Sequence, residues 1–147
     1  MQIVIASEEK RAAIKELLQN NNLPAEDLPV CLNHFFIALE DETVIGIIGM
    51  ERYDDVALLR SLAVHSNHRN KRIAESLVEK LEKLSISAGI KTMYLLTETA
   101  ENYFSKRGYT TIPRNEVPMN VMQSSEFRYV CPASAIVMRK QFVTIPA

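Results

Sequence analysis

The chain is 147 residues long, with only four glycines, 47% apolar residues, 24% charged residues and a formal charge of −1. Those values fit one globular core and exclude collagen-like, low-complexity and disordered chains. The near-neutral charge supplies no electropositive field, which argues against general nucleic-acid binding.

In chain order, Gln2–Ala6 is a short apolar run suited to a strand. Ser7 is placed to cap a helix whose first turn carries Glu8 and Glu9, where negative charge is favoured. Ile14, Leu17 and Leu18 share one helical face, and Asn20–Asn22 ends the helix. Residues 23–31, with Pro24 and Pro29, read as a turn or one short helix. His34–Glu40 and Thr43–Glu51 read as strands, and the tight acidic junction Glu40-Asp41-Glu42 makes them a hairpin. After a turn at Asp54-Asp55, Val56–Val64 is long enough to lie centrally in a sheet.

Residues 69–87 hold the clearest helix. Ile73, Leu77, Leu81 and Leu84 form its apolar stripe, Ala74 and Val78 widen it, and Gly89 stops it. Met93–Leu96 is a short strand of buried type. Strand, helix and strand make a βαβ unit, so 56–64 and 93–97 should run parallel. Thr99 is placed to cap a short helix with Ala100, Tyr103 and Phe104 inward and Gly108 at its end. Tyr109–Ile112 follows as a strand, Pro113 and Pro118 flank an indistinct segment, and Ala135–Met138 is the last strand. With no repeat or linker, residues 1–147 read as one α+β domain. No apolar run approaches the roughly 18–20 residues of a membrane span. The start, MQIVIASEEKR, lacks the basic region of a signal peptide. Cys31 and Cys131 lack metal-type spacing, as do His34, His65 and His68, so no metal is expected and the thiols read as reduced, in a cytoplasmic protein.

Strand 56–64 runs into His65-Ser-Asn-His-Arg-Asn-Lys-Arg72, directly before the strong helix. Unpaired N–H groups and the dipole at a helix start favour an anion. Cations crowded there are mildly unfavourable for an empty helix, so an external anion, most simply a phosphate, accounts for them. A solvated basic loop is the plainer alternative. Arg60 stands inside an apolar strand and needs a partner. Glu51, Glu98 and the carboxylate of an amino-acid-like substrate all qualify.

The order of these parts resembles the GNAT superfamily of acyl-CoA N-acyltransferases. Its first motif runs from a strand ending Leu-x-Val, through Arg or Gln, x, x, Gly, x, Gly or Ala, into a helix. Arg69, Ile73 and Ala74 fit, and Arg72 stands at the first glycine. The second motif corresponds to Thr97, Ala100, Tyr103-Phe104 and Gly108-Tyr109. Within the superfamily the chain looks like the small acetyltransferases of bacterial arsenic-resistance operons. Leu58–Val64, Tyr94–Thr99, Glu126–Ser134 and Met138–Lys140 carry that likeness.

The resemblance implies a central, mixed and splayed sheet of about six to seven strands, with helices on both faces. It implies acetyl-CoA as co-substrate, its pyrophosphate on the backbone of Arg69, Asn70, Lys71, Arg72, Ile73 and Ala74. The pantetheine arm would pair with Leu62, Ala63 and Val64 where strands 56–64 and 93–97 part, with Thr97 and Phe104 also at the cofactor. Arg72 departs from the glycine that lets the backbone take φ > 0 or approach phosphates closely. Phe104 departs from the tyrosine that often protonates the leaving thiolate, which turns attention to Tyr109, Tyr129 and Cys131. Glu51 is the candidate base for the attacking amine. Arg60, Arg128 and Cys131 are the candidate substrate contacts. The implied function is N-acetyltransfer from acetyl-CoA to a small-molecule amine, amino-acid-like or arsenic-linked, by direct attack. The alternatives are a domain that binds acyl-CoA without catalysis and a protein-amine acetyltransferase. Similar proteins often dimerise, so a homodimer is the expected assembly, with neither nucleic acid nor membrane as partner.

Overall fold

A computed structural model of the chain describes residues 1–69, 71–124 and 135–142. Among these residues seven strands form one mixed sheet: β1 (Gln2–Ile5), β2 (Phe35–Glu40), β3 (Thr43–Tyr53), β4 (Val56–Val64), β5 (Thr92–Thr97), β6 (Thr110–Ile112) and β7 (Ile136–Gln141). Their order is β1-β2-β3-β4-β5-β7-β6. The α-helices among the described residues are α1 (Arg11–Asn20), α2 (Ile73–Ser87), α3 (Glu101–Ser105) and α4 (Met119–Met122). The expected parallel pair is present: Val56 pairs with Thr92, Ala57 with Met93 and Leu58 with Tyr94. The chain divides into two compact units, Met1–Met50 with Arg60–Leu84, and Glu51–Leu59 with Ser85–Ala147.

In the first unit the predicted stripe of α1, Ile14, Leu17 and Leu18, is buried against Leu32, Phe35, Ile37, Val44, Ile47 and Ala63. The hairpin of β2 and β3 pairs Phe35 with Gly49. The Phe35 ring lies over the Gly49 backbone, where any Cβ would collide with it. The hairpin turn places both Asp41 (φ 49°) and Glu42 (φ 69°) in the left-handed region. Strand twist favours such a turn, but only glycine enters that region without steric cost. Glu42→Gly should therefore raise stability by about 1 kcal/mol in urea denaturation, since its main loss is an exposed, 3.8 Å contact to Lys10.

In the second unit Leu58, Tyr94, Ile112, Val117, Val121 and Val137 form the core. Gly89 (φ 87°) and Gly108 (φ 93°) stop α2 and α3 as the sequence predicts.

Three local expectations need correction. Ser7 precedes a 3-10 turn, Glu8–Lys10, and its side chain makes no capping hydrogen bond. Thr99 does not cap α3; the cap is Ala100, whose N–H donates to Thr97 Oγ1 at 2.9 Å. The long helix begins at Ile73 instead of residue 69, because Ser66–His68 makes a separate 3-10 turn and Arg69 is extended.

Candidate functional site

The segment between β4 and α2 is held by its own histidines. His65 N–H donates to the Ile45 carbonyl at 2.8 Å, and His65 Nδ1 accepts from Asn67 N–H at 3.1 Å. His68 N–H returns to the His65 carbonyl, and the two rings meet edge to face at 5.7 Å. His68 Nδ1 lies 3.5 Å from Glu40 Oε2. The His65 side chain and the two backbones thus shape the turn.

Arg72 then adopts φ 59°. Its carbonyl accepts the first helical bond of α2, from Ser76 N–H, and also Ser76 Oγ, each at 3.1 Å. An arginine thus takes a backbone form that only glycine adopts without steric cost. A non-glycine residue in this region costs about 1 kcal/mol, and such strain persists only where its surroundings hold it. The start of α2 is seated tightly: a Cβ on Gly46 would come within 3.1 Å of Ile73 Cγ2 and 3.0 Å of Leu77 Cδ1.

Arg69, Lys71 and Arg72 are exposed, while Ile73 is buried and Ala74 half-buried. Among the described residues, no carboxylate pairs with any of these three cations. The first turn of a helix also presents N–H groups without intrahelical partners. The combination suits a polyanion: backbone donors, a favourable dipole and unneutralised side-chain charge.

Immediately upstream, Ala63 is buried while Leu62 and Val64 are half-buried. Ser61 has φ 62°, an unusual turn of the backbone within a strand. Arg60 is 3% exposed. Asp27 sets a carboxylate against it, with Nη2 to Oδ1 at 2.7 Å and Nη1 to the Asp27 carbonyl at 3.4 Å. Its Nε donates to Ser61 Oγ at 3.0 Å, and its guanidinium lies 5.8 Å from the Phe35 ring centre. Sequence reasoning offered Glu51 and Glu98 for this pairing and passed over Asp27.

The remaining described candidates belong to the second unit. Glu51 lies on β3 with a half-buried side chain. Thr97 ends β5 and holds the Ala100 N–H. Phe104 is buried between Tyr103, at 5.1 Å between ring centres, and Tyr109, at 5.4 Å, both edge to face. Arg107 covers the Tyr103 ring at 3.8 Å. Tyr109 is itself only 2% exposed, with Lys140 Nζ 5.6 Å from its ring centre. Asn70, Arg128, Tyr129 and Cys131 lie outside the described residues. Among the described residues, no helix is long and apolar enough to cross a membrane, and no cluster of three or more histidine, cysteine or acidic side chains is placed to hold a metal ion.

Comparison with known proteins matches residues 6–110 to the acetyltransferase (GNAT) family. An uncharacterized N-acetyltransferase of Chlorobaculum tepidum is 33% identical over 91 residues, 61% of this chain and 58% of that protein. An amino-acid acetyltransferase of Pasteurella multocida is 26% identical over 95 residues, 63% of this chain but 22% of the longer protein. The chain therefore matches only part of these relatives' length. Among solved structures, N-acetylglutamate synthase from Neisseria gonorrhoeae, complexed with coenzyme A and N-acetyl-glutamate, superposes with a TM-score of 0.84 at 16% identity. That match covers 97% of this chain and 35% of the synthase.

Proposed function

The chain belongs to the acetyltransferase (GNAT) family, and from that premise we propose that it transfers the acetyl group of acetyl-CoA to the amine of a small, amino-acid-like molecule. The observation that carries this reading is the left-handed Arg72 at the head of α2. The glycine is gone, yet the arginine in its place holds a left-handed backbone at an energetic cost, as expected where N–H groups must face a phosphate. Arg69, Lys71, Arg72, Ile73 and Ala74, with Asn70, would hold the pyrophosphate, and the backbone of Leu62–Val64 would pair with the pantetheine arm.

Transfer is by direct attack. The amine forms a bond to the thioester carbonyl carbon, the carbon–sulfur bond breaks, and no residue is acylated. Glu51 takes the proton that the ammonium must lose, and Tyr109 returns one to the thiolate, because Phe104 has none to give. Arg128 and Cys131 stay with this reading as substrate contacts, and Thr97 and Phe104 as neighbours of the cofactor. An amino-acid acceptor is supported by the relative named an amino-acid acetyltransferase and by the N-acetyl-glutamate complex. An arsenic-linked amine is the narrower possibility that the subfamily likeness adds. We read the protein as a cytoplasmic enzyme, with the homodimer as its assembly.

Phe104 at the tyrosine position favours a second reading, binding without turnover. Thermal shift with acetyl-CoA, combined with thiol release over a panel of amino acids, polyamines and arsenic-containing amines, separates the two. Stabilisation with turnover supports the enzyme. Stabilisation without it supports the binding module, and no stabilisation at millimolar CoA overturns both.

Arg72→Gly tests the loop directly. It should raise stability by about 1 kcal/mol, because glycine takes φ 59° without strain. It should also weaken CoA binding about threefold, through loss of the guanidinium. Unchanged affinity in an isothermal titration would leave Arg72 as a backbone element alone.

A further inference from the structure

Arg69 is exposed, yet its side chain has a partner in the fold. Its Nη2 donates to Asn21 Oδ1 at 2.8 Å. Asn21 follows the last residue of α1, and its own amide is oriented from the other end: Nδ2 donates to the Leu17 carbonyl at 2.9 Å. That carbonyl belongs to the last turn of a helix, where acceptors lack intrahelical donors. The amide can therefore stand only one way round, nitrogen towards Leu17 and oxygen towards Arg69.

The chemistry of this partner matters more than its presence. An exposed arginine is commonly met by a carboxylate, which orients the guanidinium but cancels its charge. A neutral amide orients it and leaves the full charge in place. A guanidinium carries five N–H donors, and this contact uses one. Among the described residues, its other donors have no partner.

We propose that Asn21 is a positioning residue for the phosphate site: it aims Arg69 without neutralising it, so that the free donors meet the CoA pyrophosphate. This rests on the reading of residues 69–74 as the pyrophosphate loop and adds a residue from the C-terminal cap of α1, outside the motif segments. Asn21 touches neither substrate nor reacting atoms. Its effect should fall on acetyl-CoA affinity, with kcat at saturating acetyl-CoA unchanged.

The test uses Asn21→Asp and Asn21→Ala in the full chain, with acetyl-CoA and a phosphate-free thioester, S-acetylpantetheine, as titrants. Asn21→Asp keeps the shape but supplies a charge, and should weaken acetyl-CoA about fivefold. Asn21→Ala, which only releases the arginine, should weaken it about twofold. The aspartate effect should shrink at high salt and leave S-acetylpantetheine unaffected. In an Arg69→Ala background both Asn21 effects should vanish. If Asn21→Asp weakens acetyl-CoA equally with and without Arg69, or changes both titrants alike, the positioning role is overturned. Wild-type protein that fails to bind acetyl-CoA overturns the pyrophosphate loop itself, an outcome distinct from tight binding that is indifferent to Asn21. Because a new charge at a helix C-terminus is mildly destabilising, the alanine variant keeps the test decisive if the aspartate variant folds poorly.

Discussion

Asp27→Ala should destabilise the protein by about 3–5 kcal/mol in urea denaturation, the loss typical when one member of a buried ion pair is removed. The Arg60 side chain has no exposed surface and Asp27 keeps only 16% of its own, so water can replace the missing carboxylate only poorly. Geometry alone does not set this magnitude. Arg11 meets Glu8 at 2.6 Å, no longer than the Arg60 contact, but Glu8 is 70% exposed. The hydrogen bond from Arg11 holds the Glu8 carboxyl below its ordinary value, so that contribution is present above the usual carboxylate pKa and lost as pH falls through the lowered one. Exposed to solvent, such a pair contributes little.

A double replacement, Asp27→Leu with Arg60→Met, should recover most of the stability, because apolar side chains of similar size often substitute for a buried pair at no net cost. That variant also decides what Arg60 is for. If the arginine only completes the core, the double variant keeps its KM for an amino acid. If it also holds a substrate carboxylate, KM rises while acetyl-CoA affinity is unchanged. A loss below 1 kcal/mol on Asp27→Ala would show that the guanidinium does not depend on this carboxylate.

What the sequence disclosed and what it hid follow from the range of each interaction. The α1 and α2 stripes are periodic, and periodicity is local, so Ile14, Leu17, Leu18, Ile73, Leu77 and Leu81 were legible as core. The hairpin and βαβ unit were legible for the same reason, since turn residues stand next to what they join. Asp27 was not, because it lies 33 residues from Arg60, in a proline-flanked segment without helix or strand to orient it. Asn21 read as a helix stop, and nothing local reveals that its free oxygen meets Arg69. Arg72 is the sharpest case. Residue type showed only that a glycine was replaced there, and it is the structure that places the arginine in the left-handed region. The helix that follows it is tightly seated, with Ile73 and Leu77 close over Gly46. A strained conformation that survives the wrong residue is a stronger sign of function than the right residue would have been.

Glu51→Gln should lower kcat about 100-fold while leaving acetyl-CoA affinity unchanged. Glutamine has the same shape and can still accept and donate hydrogen bonds, so the half-buried site on β3 should be preserved. What it cannot do is take a proton near neutral pH. An aliphatic amine is almost entirely ammonium there, and an ammonium has no lone pair with which to attack a thioester. The wild-type carboxylate shifts that balance at the moment of attack. Raising the pH shifts it in bulk solution, so the two proteins should converge as the free-amine fraction grows. The pH profile therefore distinguishes a base from a residue that merely supports the strand: a structural role lowers the rate by a constant factor at every pH. An unchanged kcat would remove Glu51 from the reaction and leave water to take the proton.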